Sequence, residues 1–561
     1  MQLILLKSKQ NIDHYSAVIL LQERLNYSFF MDASTKDTEV LIIGAGPTGL
    51  VMACHLLRYG VKFRIIDKQK DRVHESRAFA IQAKSMEIFQ NLGLAGELLK
   101  LARSNMDFVF FIDGKKQIEI KFKHFNHQDT PFPSVYFLPQ TETERILNDY
   151  LERKGVFVER QKELILFTQD TQGVRASIKN NIKGNTEEVV CDYIVGCDGA
   201  HSSIRYVLKL SFEGNAYPQI FNLVDATIKW SYSRNKFLFF LGKEGVFVHI
   251  PLAEKFSRVM LAKRSKYAEE KLTVPHLAEL ESLASLLTQV PIQFINPIWI
   301  STFRLHHRGV NLYYQNRAFL AGDAAHIHSP VGGQGMNTGI QDSTNLAWKI
   351  ALVLRKNTNI GLLDTYETER HPVGKILLKT TDRFFSLLTT SGFLISRLRN
   401  LLLPWLIKCL FSKKNLEKRL FWFISQLNIH YGKNQFNYEI IDKSYTNFKR
   451  GVCPGYRAPN APANTSDLFT LLAEKPFNIL CFKIHDEPAS FAEKINSLIK
   501  NYKEWLGVHV FVFSSANKLL FERYGVISSA IYVIRPDGYV GFRINSDNYA
   551  LLADYLKNFF K

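Results

Sequence analysis

Residues 39–68, EVLIIGAGPTGLVMACHLLRYGVKFRIIDK, restrict the fold more than any other stretch of the chain. VLIIG is a continuous apolar, β-branched run, as a strand reads when a parallel sheet buries it on both faces. Gly44-Ala45-Gly46-Pro47-Thr48-Gly49 follows at once, then a helical pattern to Arg58, a stop at Gly60 and the second strand VKFRIID. Gly44 permits a tight turn, and Gly46 lacks the Cβ that would keep a pyrophosphate from the helix N-terminus. Gly49 lets helix and strand pack closely. Asp67, at the end of the second strand with Lys68 beside it, is placed to accept hydrogen bonds from a ribose. GxGxxG alone is a weak signal. Strand, glycines, helix, strand and acid in order predict a dinucleotide-binding α/β unit.

Two later segments repeat the pattern of strand into polar turn. Residues 189–205, VVCDYIVGCDGAHSSIR, carry Asp198-Gly199 at the end of a strand, with Ser202 or Ser203 placed to cap a helix. Residues 317–337, RAFLAGDAAHIHSPVGGQGMN, put Gly322 and Asp323 just past a third strand, at the carboxyl edge where open α/β sheets bind ligands. Gly332, Gly333 and Gly335 let backbone N–H groups converge on a flat, electron-accepting group, and a helix over 337–355 adds its positive end. A metal held by Asp323, His326 and His328 is the competing reading. It leaves the glycines and the strand unexplained and finds no fourth ligand nearby.

At 561 residues the chain should divide into two or three domains. Its net charge of +19 is spread out, with no block of five Lys/Arg, which argues against nucleic acid as the partner. Forty-two Phe favour an apolar cavity, although core packing also uses them. Six scattered cysteines without CxxC suit a reducing compartment without disulfides or zinc. No secretory signal and no apolar run of membrane-spanning length is present, so the expected location is the cytoplasm. Residues 1–36 read as an N-terminal extension, with Met31 an alternative start.

The segments 44–49, 197–205 and 321–337 together resemble the flavoprotein monooxygenases of the para-hydroxybenzoate hydroxylase and phenol hydroxylase type, over roughly residues 37–375, to TYETERHP (365–372). The resemblance implies a Rossmann-like FAD-binding domain interleaved with a β-sheet substrate domain at about 210–310. It implies an enzyme in which NAD(P)H reduces FAD, O₂ adds to the flavin, and the C4a-hydroperoxide hydroxylates a phenolic or polycyclic aromatic. By the same resemblance the first glycines hold the ADP part of FAD, Asp198-Gly199 serves FAD and NAD(P)H, and Gly322-Asp323 holds the ribityl chain. Arg77 (SRAFAIQ) and Gln140 (FLPQTETERIL) lie along the phosphates and flavin side chain. Pro330, Gly332, Gly333, Gln334, Gly335, Met336 and Asn337 line the isoalloxazine edge, and Pro330 and His328 stand nearest the chemistry. Phenol hydroxylase is expected to have an aspartate base where this chain has Phe79. His249, Tyr232 and His328 are the replacement candidates.

Beyond the family region, 376–450 reads as a helical bridge and 451–470, with its PGYRAP, as a linker. Residues 471–561 show the strand–helix–strand–helix–hairpin–helix order of a thioredoxin-like domain. Only Cys481 is there for thiol chemistry, so its expected role is structural, in dimerisation for instance. Two rival functions remain at this stage. One is a membrane-surface hydroxylase of quinone precursors, suggested by the basic, apolar stretch after 396. The other is a flavin-binding protein without catalysis.

Overall fold

The computed structural model describes residues 36–561 except 73–77, 122–128, 253–255, 264–273, 330–331, 356–357, 359, 442–447, 449–450, 464–465, 485–489, 547, 561 and, within 390–413, all but Leu402, Trp405 and Cys409. The extension 1–35, Arg77 and Pro330 therefore lie outside the described residues.

The mixed α/β architecture is built on a six-stranded sheet. Val40–Ile43 pairs in parallel with Phe63–Asp67 on one side and Tyr193–Gly196 on the other, and Ala318–Leu320 continues the parallel order beyond it. Val40 to Ile43 are all buried, as a continuous apolar run requires at the centre of a covered sheet. The helix Pro47–Arg58 follows the first strand and ends before Gly60, whose φ is +66°. It packs against the long helix Gly335–Leu354, where a glycine, a threonine and a serine make the contact. A Cβ on Gly322 would lie 2.6 Å from Thr48 Oγ1, one on Gly339 would collide with the same hydroxyl, and Ser343 Oγ donates to the Thr48 carbonyl at 2.7 Å.

A second, eight-stranded sheet carries the region expected at 210–310. Its frame is the antiparallel pair Phe212–Lys229 and Gln293–Val310. It reaches beyond that window: Phe108–Ile112 joins in parallel beside Phe237–Leu241, and Lys115–Ile120 extends it. One face packs on the helix Leu277–Thr288 through Phe240, Phe247, Leu261 and Ala284. The other face gathers Met106, Phe137, Phe221, Leu223, Ile250 and Leu305 and turns toward the first domain.

The C-terminal sheet is five-stranded and takes its edge strand Tyr438–Ile440 from the region read as a bridge. Phe477–Lys483 and Leu506–Val512 are parallel, and the hairpin Ala530–Ile534/Val540–Ile544 turns at Gly538, whose φ is +79°. Cys481 is buried at its centre, where burial pushes the thiol up to about 12 and so removes it from thiolate chemistry. The 451–470 stretch is closely packed rather than loose: Ala458 and Ala461 are buried, and Arg457 enters the first domain to pair with Glu87.

Candidate active site

Three chain crossings bring the predicted residues to one edge. Gly44 follows Val40–Ile43, Asp67 ends Phe63–Asp67, Asp198 follows Tyr193–Gly196, and Gly322-Asp323 follows Ala318–Leu320. These four strands, all parallel, each deliver a site residue at the carboxyl end. The backbone explains some of the glycines. Gly44 has φ +99°, and a Cβ there would lie 2.5 Å from the Cys197 carbonyl oxygen. A Cβ on Gly49 would run into the Gly44 carbonyl. Gly46 is different. Its φ is an ordinary −76°, and among the described residues no atom beyond its own helix and chain neighbours lies within 4 Å of a Cβ built on it.

The turn around these glycines is held by acids. Asp67 Oδ2 accepts from Ala45 N at 2.7 Å, so the end of the second strand fixes the glycine turn; Lys68 beside it is exposed. Asp198 Oδ2 accepts from the Ser203 N–H and hydroxyl at 2.7 and 2.8 Å, while its buried Oδ1 has no partner among the described residues. Ser202 caps the following short helix by accepting from Arg205 N. Arg205 reaches across to the Ala324 carbonyl at 2.8 Å and so ties the second segment to the third. Asp323 is exposed in the crevice.

The Gly-rich loop is anchored by Asn337. Its side chain accepts from Gln82 N at 2.8 Å and donates to the carbonyls of Ala80 (2.9 Å) and Gly333 (2.7 Å), which joins the loop to the short strand Ala80–Ile81. Gln334 donates to the Phe423 carbonyl at 3.1 Å. Gln140 opens its helix, accepts weakly from Ala78 N and donates to Glu144. Met336 is half-buried at the start of the helix 335–354. His328 is buried, with Nδ1 on the Ser329 carbonyl and Nε2 unpartnered among the described residues. Burial, with His326 next to it, pulls His328 down to about 4, so it is neutral.

A buried ionic cluster beneath the loop was not anticipated from the sequence. Asp342 accepts from His326 Nε2 (2.8 Å), Arg370 Nε (2.7 Å) and Gly322 N (3.1 Å), all within the core. Burial raises the Asp342 carboxyl, but Arg370 and His326 outweigh it and hold the group below its ordinary value. His326 is therefore a support for the Gly-Asp turn. Among the described residues no group of three His, Cys, Asp or Glu is placed to hold a metal. The signals for the cluster were Asp342 inside an apolar helix and Arg370 within TYETERHP.

The structure redirects two of the candidate bases. Phe247 and His249 point to the helix side of the second sheet, where His249 lies 4.8 Å from Trp230 and bonds Ser257 Oγ at 2.8 Å. Tyr232 packs in the same cluster against Phe111. Both stand on the opposite side of the sheet from Phe79, which stacks on Phe137 at 6.3 Å near the Gly-rich loop.

Residues 37–381 match the family described as FAD binding domain. A 6-methylpretetramide 4-monooxygenase of Streptomyces rimosus is 33% identical over 428 residues, 76% of this chain and 75% of that protein. The pentachlorophenol 4-monooxygenase of Sphingobium chlorophenolicum is 31% identical over 370 residues, 65% of this chain and 68% of that one. Among solved structures, CabE, an aromatic hydroxylase from angucycline biosynthesis, matches with a TM-score of 0.72 and 25% identity over 94% of this chain and 100% of its own. The chain belongs to this family and is a flavoprotein aromatic monooxygenase working with FAD, NAD(P)H and O₂. The relatives give no support to the two rival functions. No described helix is long and apolar enough to cross a membrane.

Proposed function

We propose that this chain hydroxylates a bulky, largely apolar phenolic or polycyclic ring, with NADPH or NADH as the electron donor. The observation that carries the flavin assignment is Gly46. Neither its backbone angle nor any described neighbour calls for a glycine there, so the open space suits a pyrophosphate at the helix N-terminus. In this reading Gly44 to Gly49 take the pyrophosphate, and Asp67, with Lys68 at the rim, the adenosine ribose. Asp198, Gly199, Gly322 and Asp323 take the ribityl chain, and Gly332 to Asn337 present N–H groups to the ring. Since the Asn337 side chain is committed to backbone partners, its share is to set the loop. Arg77, Gln140 and Pro330 complete the cradle by family likeness. Bound FAD supplies the electron pair taken from NAD(P)H and the activation of O₂.

The protein's own part is to orient the substrate and exclude water. The aromatic wall of Phe79, Phe137 and Phe303 suits a large ring. Neutral His328 stands as a hydrogen-bonding neighbour of the ring edge. Cys54, Cys191, Cys197 and Cys481 are buried free thiols, which suits a reducing cytoplasm; a homodimer is the assembly we propose. The test is NAD(P)H consumption and product mass with a panel of phenols and polycyclic aromatics under labelled O₂. Expected is an aromatic-accelerated oxidation and a product one oxygen heavier. Equal flavin reduction without any aromatic, with all oxygen ending as peroxide, would refute the reading.

A further inference from the structure

Side chains alternate along the strands of the second sheet, so parity decides which residues share the face of the aromatic wall. On the strand Ser257–Lys263, Val259 and Leu261 pack on the helix side, while Met260 and Ala262 join the group of Phe79, Phe137 and Phe303. Arg258 therefore stands on the wall side. Its cross-strand neighbours agree. Ile250 and Asp225 pair with Arg258 from either side; Ile250 lies in the wall group, and so does Leu223, two residues before Asp225. Trp299, opposite Asp225 on the next strand, packs against the same group. An arginine and an aspartate are thus set into an apolar, aromatic surface.

The two side chains form a fork. Arg258 Nε and Nη2 donate to Asp225 Oδ1 and Oδ2 at 2.8 and 2.6 Å, and the guanidinium carbon is 5.6 Å from the Trp299 ring centre. The third nitrogen, Nη1, is buried and has no acceptor among the described residues. A buried donor without an acceptor is costly, and such a group asks for an explanation, a ligand atom among them. The Arg258 side chain is 1% exposed and that of Asp225 15%, so the pair borders open space through the aspartate. The ladder between Phe212–Lys229 and Gln293–Val310 also slips here, between Asp225 and Thr227, as strands do where side chains are re-aimed beside a site. The Phe212 end of this pair of strands lies next to His326–Ile327, and Asp225 is about 13 Å farther along from that end than Phe221.

We propose that Arg258, backed by Asp225, is a subsite at the far end of the wall that takes a neutral carbonyl oxygen, so that the preferred substrate is a phenol carrying a ketone or quinone carbonyl remote from its hydroxyl. The inference rests on the hydroxylation reading above and names the substrate class within it. Asp225 cancels the guanidinium charge and fixes its plane by two parallel bonds. A carboxylate substituent would meet Asp225 as a like charge, whereas a carbonyl gains the Nη1–H bond without that repulsion. A ring with only carbon there leaves Nη1 unpaired, and a buried donor rejects such an analogue far better than apolar fit alone does. Trp299 is half-buried against the guanidinium, and its ring turns aside to admit the carbonyl, a rotamer change of the kind that binding commonly brings. Arg258 is the group that touches the substrate; Asp225 acts through it.

The test uses FAD-loaded full-length enzyme and three 4-hydroxybiphenyls that differ only at the far ring carbon, which bears acetyl, ethyl or carboxylate. Each is titrated by calorimetry near neutral pH. Expected in the parent is a Kd for the acetyl compound about tenfold or more below those of the other two. The double variant Asp225→Leu/Arg258→Leu leaves no stranded charge in the wall. It should bind the acetyl and ethyl compounds within about twofold of each other, with FAD content unchanged. The proposal is overturned by equal affinity for acetyl and ethyl in the parent, by tightest binding of the carboxylate, by binding of none of the three, or by an acetyl preference that survives in the double variant. The parent comparison decides by itself if the variant does not fold. A parent whose NAD(P)H oxidation no aromatic accelerates refutes the hydroxylation reading instead, and the calorimetric ratio still reports on Arg258.

Discussion

Asp342→Asn is the sharpest perturbation of the site's foundation. Three donors converge on this carboxylate: the His326 Nε2–H, the Arg370 guanidinium and the Gly322 N–H, at 2.7–3.1 Å. An asparagine offers one acceptor oxygen and turns an N–H₂ toward at least one of those donors, while Arg370 loses its counter-charge in the core. Breaking one side of a buried ion pair costs about 3–5 kcal/mol, against a total stability of about 5–15 kcal/mol. The assay is thermal and urea unfolding followed by release of flavin fluorescence, with Arg370→Met and the double variant closing the cycle. Asp342→Asn is expected to lose that amount and to weaken FAD binding, since Gly322 N–H loses its acceptor. The double variant should lose less than the sum, because the stranded guanidinium is gone. The sign with pH follows: the folded carboxyl lies below its unfolded value of about 3.9, so its contribution is whole above that pH and lost as pH falls through the folded value. A single variant within about 1 kcal/mol of the parent, or strict additivity, would refute the argument.

The other predictions address the phosphate turn, acid stability and the C-terminal unit. Gly46→Val should abolish FAD retention with the far-UV spectrum intact; a variant purified with a full complement of FAD removes Gly46 from the phosphates. His249 and His328 are both held neutral by burial, with values drawn down to about 4. The unfolded chain therefore binds more protons than the folded one between about 6.5 and 4, and stability should drop across that window as pH falls, by about 3 kcal/mol for each histidine. His249→Phe should flatten the pH dependence of urea midpoints, and an unchanged slope counts against the assignment. Deleting 470–561 should leave no soluble, FAD-loaded remainder, because it strips partners from buried charges. A truncated chain with parental melting temperature and flavin content shows that reasoning to be wrong.

How much was legible depends on how local the cause is. Gly44 and Gly49 could be read directly, because a turn or a close approach acts on one residue and only glycine answers it. The pairing of Phe108–Ile112 with Phe237–Leu241 could not, since a parallel contact across more than a hundred residues leaves no periodic trace beyond two apolar runs. The face of His249 was equally hidden. Side chains alternate every residue, so the register of the sheet decides whether a histidine meets the Phe79 wall or the helix Leu277–Thr288. Asp342 was visible only as an acid in an apolar helix; its partners come from three separate elements.

The C-terminal unit shows the same limit and its consequence. Pro and Gly at 451–470 read as a linker because turn residues punctuate both linkers and tightly folded straps. Here the strap is pinned by Arg457 on Glu87, and the hairpin beyond it delivers Arg535 into the first domain. Arg535 bonds Glu369 at 2.6 and 2.8 Å and Asp537 at 2.6 Å, while Lys349 reaches Glu369 at 2.8 Å, all of them buried. Burial pulls the Lys349 ammonium down to about 8, which marks how little water reaches the cluster. Two cations and two anions compensate one another only while both domains are present. Lys349 sits on the helix 335–354, which also carries Asn337 and Asp342, and Glu369 precedes Arg370. The helix that sets the Gly-rich loop is thus held from below by the C-terminal hairpin, which gives a domain without thiol chemistry a physical reason to be there.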